Sequence, residues 1–335
     1  MVAGSGRKAG RVEAVCLVAD IGGTNARFAL ISGTGRLGEP TVLATADHPS
    51  LAAAAKAFLA AMPGAARPAA AAFAVASPVT GDRVDMTNHP WSFSIRALKR
   101  ALGLAELRVV NDFAAIAHAV PVLGPKDKVK IGGGAAVANR PIGIIGPGTG
   151  LGVAGLVAAE GRWHALDTEG GHATLPAATA REAEIIAVLR DRFGHVSAER
   201  AISGPGLVHL YEAIATLARA DAASFGPADV LARGRAGTDP LCVEALSTFC
   251  ALLGTVAGNL ALTLGALGGV HVAGGIVPRL GAWFASTPFR ERFEAKGRFR
   301  DYQRRIPTYV VTHPNPGLLG LAALVRRGSP HRDSG

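Results

Sequence analysis

Residues 17–30 read LVADIGGTNARFAL. An apolar run ends in a carboxylate, Asp20, and turns on Gly22-Gly23. The chain then presents a hydroxyl (Thr24), an amide (Asn25) and a cation (Arg27) before it becomes apolar again. Two apolar runs around a glycine pair predict a hairpin, with a strand over 13–20 and its partner over 26–32. The turn has a second use. Backbone N–H groups in a glycine turn project outward with no Cβ in the way, so they can cradle phosphate oxygens beside a metal held near Asp20.

The layout recurs. Residues 141–157, PIGIIGPGTGLGVAGLV, again give strand, glycine turn and strand, with Thr149 in the place of Thr24. The repeat predicts two related α/β halves. Neither turn is a GxxxxGK[ST] loop, and GPGTGLG leads into a strand rather than a helix, which excludes the dinucleotide fingerprint. Around these turns the pattern predicts a strand in GEPTVLATAD and a helix over Leu51–Met62 capped by Ser50, with a break at 63–68. A strand is expected in AAAAFAVASPV, a polar loop over 80–94 and a helix over 95–102 capped by Ser94. Helices follow over 180–193, 205–219 and about 240–265, and a closing strand and helix lie in PTYVVTHPNPGLLGLAALVRR.

Length and composition bound the class. The chain has 335 residues, enough for two domains, and 49% hydrophobic residues supply a large core. The formal charge is +10, but the basic residues are spread along the chain and no basic stripe is interleaved with aromatics. The expectation is a generally basic surface that favours polyanions such as ATP, not a nucleic-acid reader. Three cysteines without CxxC spacing predict neither a zinc site nor a disulfide framework and suit a reducing cytosol. Residues 1–12 are small and polar and are expected to form a disordered extension. Residues 245–270 carry no charge and are long enough to span a bilayer. They also contain Asn259 and several glycines with no aromatic belt, so a buried helix is expected and no membrane partner.

Three corners carry polar chemistry. Asn111-Asp112 stands between the strand in LRVV and the helix in FAAIAHAV. Either residue could simply cap that helix. A carboxylate at a strand's carboxyl end could also accept a hydroxyl proton, with the amide orienting the substrate. Glu169 and His172 flank two glycines in DTEGGHATLP and suit hydrogen bonding to sugar hydroxyls. A metal alternative there would draw on His164 and Asp167 but lacks an HExxH pattern. Glu199, in GHVSAERAISGPG, reads locally as an exposed helix carboxylate.

In combination, DIGGTNARFAL, TNHPWSFS, NDFAAIAHA, GPGTGLGVAGL, EGGH, GHVSAERAISGPGLVHLY, GGVHVAGGIVPR and NPGLLG resemble the bacterial glucokinase family, from about Val15 to about Val325. These are ATP-dependent hexose kinases of the actin-like, sugar-kinase and Hsp70 ATPase superfamily. The resemblance implies an α/β fold of two actin-like, ribonuclease H-like domains with mixed sheets flanked by helices and an interdomain cleft. It places a small domain at 13–122 plus 313–330 and a large one at 123–312, closing over D-glucose to exclude water. It implies phosphate loops at Gly22, Gly23 and Thr24 and at Gly148, Thr149 and Gly150, an adenosine-binding turn at Gly274 and Gly275, and Mg²⁺ placed by Asp20, through water. Asn111, Asp112, Glu169, His172 and Glu199 would hold the sugar, with Asp112 as general base. A cytoplasmic homodimer phosphorylating glucose at the 6-hydroxyl for glycolysis is implied as well. The cysteine-rich motif and helix-turn-helix of the repressor-and-kinase branch are not in the sequence. One departure stands out: Thr168 precedes EGGH where a smaller residue is expected.

Overall fold

The computed structural model describes residues 15–62, 67–87 and 89–328. The expected N-terminal extension over 1–12, most of the break at 63–68 and the tail from 329 lie outside the described residues. The chain divides into two compact units. One runs to Ala115 and resumes at Gly317; the other is Ile116–Pro316.

The first unit opens with β1 (Cys16–Ile21), β2 (Asn25–Ile31) and β3 (Thr41–Ala44), then α1 (Leu51–Ala60) and β4 (Ala70–Val75). There follow β5 (Arg83–Asp85), β6 (Ser92–Ser94), α2 (Ile95–Ala101), β7 (Glu106–Asn111) and α3 (Asp112–Ala119), whose end enters the second unit. Its sheet has the order β3-β2-β1-β4-β7. The β1–β2 and β2–β3 pairs are antiparallel, and β1–β4 and β4–β7 are parallel. Strand alternation sends Leu17, Ala19 and Ile21 to a face covered by Leu51, Phe58 and Leu98. Val18 faces the other way. Ser50 and Ser94 cap α1 and α2 as their sequence positions predict. The polar stretch 80–94 is not all loop: β5 and β6 pair there as Arg83↔Ser94, Val84↔Phe93 and Asp85↔Ser92. Strands of three residues are too short to display a period of two; Val84 within β5, and Met86 and Trp91 beside the two strands, are buried there.

The second unit contains β8 (Lys128–Ile131), β9 (Ile142–Pro147), β10 (Leu151–Ala159), β11 (Arg162–Thr168), α4 (Ala180–Phe193), α5 (Gly204–Ala218), α6 (Pro227–Ala236) and α7 (Pro240–Leu264). It continues through β12 (Val270–Val272), α8 (Val277–Leu280), α9 (Phe289–Glu294), α10 (Arg300–Arg304) and β13 (Thr308–Val311). The sheet order is β11-β10-β9-β12-β13-β8. Its first five strands repeat the order and directions of the first unit's sheet: antiparallel, antiparallel, parallel, parallel. The two halves anticipated from the recurring glycine turns are thus the same topology twice, with β8 added antiparallel to β13. The apolar helix α7 lies in the core of this unit, with Cys242, Leu246, Phe249, Cys250 and Leu253 fully buried. It is long and apolar enough to cross a bilayer, but most of it is covered here by protein.

The chain returns to the first unit with α11 (Pro316–Gly328). Leu318, Leu321 and Ala322 of α11 pack with Val18, Ala72, Ala74 and Ala115 on the second face of that unit's sheet. The fold is α/β, with helices on the faces of mixed sheets.

Candidate active site

In the first unit, the turn of residues 22–24 closes the β1–β2 hairpin through Gly22 N–H to Asn25 C=O at 2.9 Å. Thr45, buried to 1% exposure, straps it from behind: its hydroxyl donates to Gly23 C=O at 2.8 Å and its amide to Thr24 C=O at 3.0 Å. The Gly23 and Thr24 N–H groups make no hydrogen bond among the described residues. A strapped hairpin with two open N–H groups is an anion cradle in form. The hairpin expected from the opening stretch is present, and its turn keeps two N–H groups without a partner among the described residues.

Asp20 stands beside this turn. It pairs in register with Arg27 across the hairpin, at 3.7 Å between carboxylate and guanidinium. Its carboxylate also faces Gly317, where a Cβ would lie 3.4 Å from Oδ2. Burial pushes the Asp20 carboxyl up from its ordinary value, and Arg27 only partly opposes the shift. A desolvated carboxylate of this kind gains from a cation. No group of three His, Cys, Asp or Glu side chains gathers to hold a metal among the described residues. A single carboxylate fits Mg²⁺, which keeps most of its waters and takes its other ligands from phosphates, and not zinc, which needs three or four protein ligands.

The parallel pairs β1–β4 and β4–β7 set Ile21, Val75 and Asn111 in one row. Asp20 and the corner 111–112 thus reach the same carboxyl edge, about 10 Å apart at the usual strand spacing. At that corner Asn111 is the cap. Its Oδ1 accepts the N–H of Phe113 at 2.8 Å and of Ala114 at 3.4 Å, and its Nδ2 donates to Ser77 C=O at 3.4 Å. Asp112 occupies the first helical position, with Oδ1 accepting the N–H of Phe113 at 2.9 Å.

In the second unit, the turn of residues 148–150 closes the β9–β10 hairpin through Gly148 N–H to Gly150 C=O at 2.8 Å. The N–H groups of Thr149 and Gly150 make no hydrogen bond among the described residues. The Gly204 N–H, at the start of α5, donates to Gly148 C=O at 2.8 Å. Gly274 sits against Pro147, at the end of β9. It has φ +80°, and a Cβ there would overlap the Pro147 carbonyl, so only glycine fits. Gly275 is open: a Cβ there would meet nothing within 4 Å.

The first residues of β10 collect the remaining candidates. The Glu199 carboxylate, half-buried in a short helical turn at Ala198–Arg200, accepts the Leu151 N–H at 2.9 Å. Gly171 packs on the Leu151 carbonyl so closely that any side chain would overlap it. The Thr168 hydroxyl donates to Val153 C=O at 2.8 Å and accepts from Gly170 N–H at 3.3 Å, which fixes the turn carrying Glu169 and His172. Glu169 Oε2 and His172 Nε2 lie 3.9 Å apart, both exposed. The segments bearing Glu169–His172 and Glu199 are tied together by Ala198 N–H to Ala173 C=O at 2.8 Å. His164 and Asp167, the metal alternative, are three residues apart on β11 and so point to opposite faces of the strand.

Thr45, Ser77 and the Leu151 amide had no sequence signature. Each acts through a contact with residues 22 to 48 positions away.

The glucokinase family model matches residues 17–328. A glucokinase from Paramagnetospirillum magneticum is 53% identical over 310 residues, covering 92% of this chain and 97% of that protein. Among solved structures, a glucokinase from an Antarctic psychrotroph has a TM-score of 0.85 and 39% identity, covering 93% of this chain and 99% of that one. A ROK-family glucokinase from Streptomyces griseus, solved with glucose and AMPPNP, has a TM-score of 0.62 at 20% identity, covering 94% and 100%. The last is a likeness of fold.

Proposed function

The chain belongs to the glucokinase family, and from that premise we propose how its own residues carry out the phosphorylation of D-glucose by ATP. The Asp112 carboxylate accepts the proton of the glucose 6-hydroxyl as that oxygen attacks the γ-phosphorus. The bond from the γ-phosphorus to the bridging oxygen breaks, and ADP leaves. Phosphoryl transfer of this kind needs little covalent help from protein; positioning and charge neutralisation dominate. Asn111, fixed by its capping bonds, orients Asp112 and a sugar hydroxyl. Glu169, His172 and Glu199 hold further hydroxyls, and each unmatched polar group would penalise a sugar lacking its partner.

Gly22, Gly23 and Thr24 take one part of the triphosphate and Gly148, Thr149 and Gly150 another, through the N–H groups that have no partner among the described residues. Gly274 and Gly275 leave room for the nucleoside. Asp20 would be the residue to hold Mg²⁺, which when bound would neutralise phosphate charge. A cytoplasmic homodimer completes this reading. The observation that carries it is the corner at Asn111-Asp112. There the neighbouring amide supplies the helix cap, and the carboxylate stands at the carboxyl edge that also bears Asp20 and the first glycine turn.

The test is a coupled assay of ADP release with Mg-ATP across glucose, mannose, fructose and N-acetylglucosamine. Turnover that is fastest with glucose is expected. Folded protein that binds glucose but turns over no sugar with ATP would contradict the donor assignment.

A further inference from the structure

Glu199 and the second glycine turn are too closely joined to act separately. The carboxylate Oε2 accepts the N–H of Leu151, the first residue after Gly150. A Cβ on Gly150 would overlap that same oxygen. The other end of the turn is held from the same segment: the Ser203 hydroxyl donates to Glu199 C=O at 2.8 Å and accepts Gly206 N–H at 3.0 Å, and Gly204 N–H donates to Gly148 C=O. Residues 199–204 therefore grip both ends of a turn whose Thr149 and Gly150 N–H groups make no hydrogen bond among the described residues. Thr168, the departure from the expected motif, and Gly171 fix the Glu169–His172 turn to Leu151 and Val153 of the same strand start.

We propose that Glu199 is a positioning residue for the nucleotide as well as a contact for the sugar, so that the start of β10 couples the two sites within one unit. The inference rests on the reading of Glu199 as a sugar-binding residue given above. One carboxylate oxygen holds the Leu151 amide and with it the geometry of the Gly148–Gly150 cradle. The other engages a sugar hydroxyl. Occupation of either site narrows the position of the carboxylate, so each ligand raises the affinity of the other by the same factor.

The experiment is calorimetric binding of Mg-AMPPNP without sugar and of glucose without nucleotide, to the full chain and to Glu199→Ala, Glu199→Gln and Gly150→Ala. Loss of one charge-assisted hydrogen bond predicts AMPPNP binding about tenfold weaker in Glu199→Ala. Glu199→Gln keeps an oxygen for the Leu151 N–H, so its AMPPNP affinity should return to within about twofold of the unaltered chain while glucose binding stays weakened. Gly150→Ala, a change in the nucleotide turn, should weaken glucose binding with no nucleotide present. A Glu199→Ala protein that loses glucose affinity but binds AMPPNP like the unaltered chain would overturn the proposal and leave the sugar reading intact. An unaltered chain that binds neither ligand would overturn both.

Discussion

Asn111 Oδ1 accepts the backbone N–H of Phe113 at 2.8 Å, so the amide of the Asn-Asp pair is the principal cap of α3. This division of labour decides what each residue is for. Capping is a structural duty that a carboxylate could also perform; here Asn111 Oδ1 accepts the N–H groups of Phe113 and Ala114, and Asp112 Oδ1 shares the Phe113 N–H at 2.9 Å.

Asn111→Ala should then cost stability and activity together. Loss of the cap predicts about 1 kcal/mol of destabilisation, seen as a lower denaturant midpoint with unchanged slope. The glucose kcat/KM should fall as well, because Asn111 also donates to Ser77 C=O and fixes the corner. Asn111→Asp restores the cap oxygens but not the donor, so it should recover stability more than activity.

Asp20→Asn should separate stability from function. Burial raises the Asp20 carboxyl above its ordinary value, so the native state takes up a proton there more readily than the unfolded chain does. Its charge is a cost at neutral pH that lessens as pH falls through the raised value. The neutral amide should therefore raise the melting midpoint of the ligand-free protein by about 2 °C at pH ~7, an advantage that fades toward the carboxylate range. The same change should raise the KM for Mg-ATP and leave glucose binding nearly unaltered. A ligand-free variant less stable than the parent would show that the Arg27 pair outweighs desolvation.

His271 makes the second unit sensitive to acid. It is 2% exposed on β12, stacked on Tyr309 at 4.9 Å, and neither ring nitrogen has a hydrogen-bond partner among the described residues. Burial first, and Lys128 second, push its pKa down to about 3. The unfolded chain takes up a proton near the ordinary value and the folded chain does not. Stability is therefore lost as pH falls from about 6.5 toward 3, by up to about 1.4 kcal/mol per pH unit. His271→Phe keeps the stacking and removes the titration. Between pH ~6 and ~4 it should lose about 2–3 kcal/mol less than the parent, as read from denaturation midpoints of the second unit.

The parts of the molecule that were legible in the sequence are those written locally. Both glycine turns announce themselves by apolar runs on either side. The helix Ala180–Phe193 has the bounds expected from the sequence, and in the structure Thr179 caps it by accepting Glu182 N–H. The corner Asn111-Asp112 is visible as a polar pair between apolar segments. What was hidden is written at a distance. The strand Arg162–Thr168 lies at a sheet edge with no fully buried residue, and its alternation is confined to the half-buried Trp163 and Ala165, with the apolar Leu166 on the exposed side, so no sustained apolar–polar period marks it in the sequence. Glu199 reads as an ordinary surface carboxylate until the fold brings it to Leu151, 48 residues earlier. Thr45 straps a turn 22 residues away. Neither contact leaves a trace in composition or spacing.

That Asp112 is the base is tested most directly by a steady-state and binding comparison of Asp112→Asn with the parent. The amide keeps the size of the side chain and cannot take the proton. With Asp112 as base, kcat falls by on the order of 10²–10⁴ while the dissociation constant for glucose changes by less than about threefold, with the fold intact by circular dichroism. A variant that retained turnover close to the parent's would contradict this assignment and give the proton to another group.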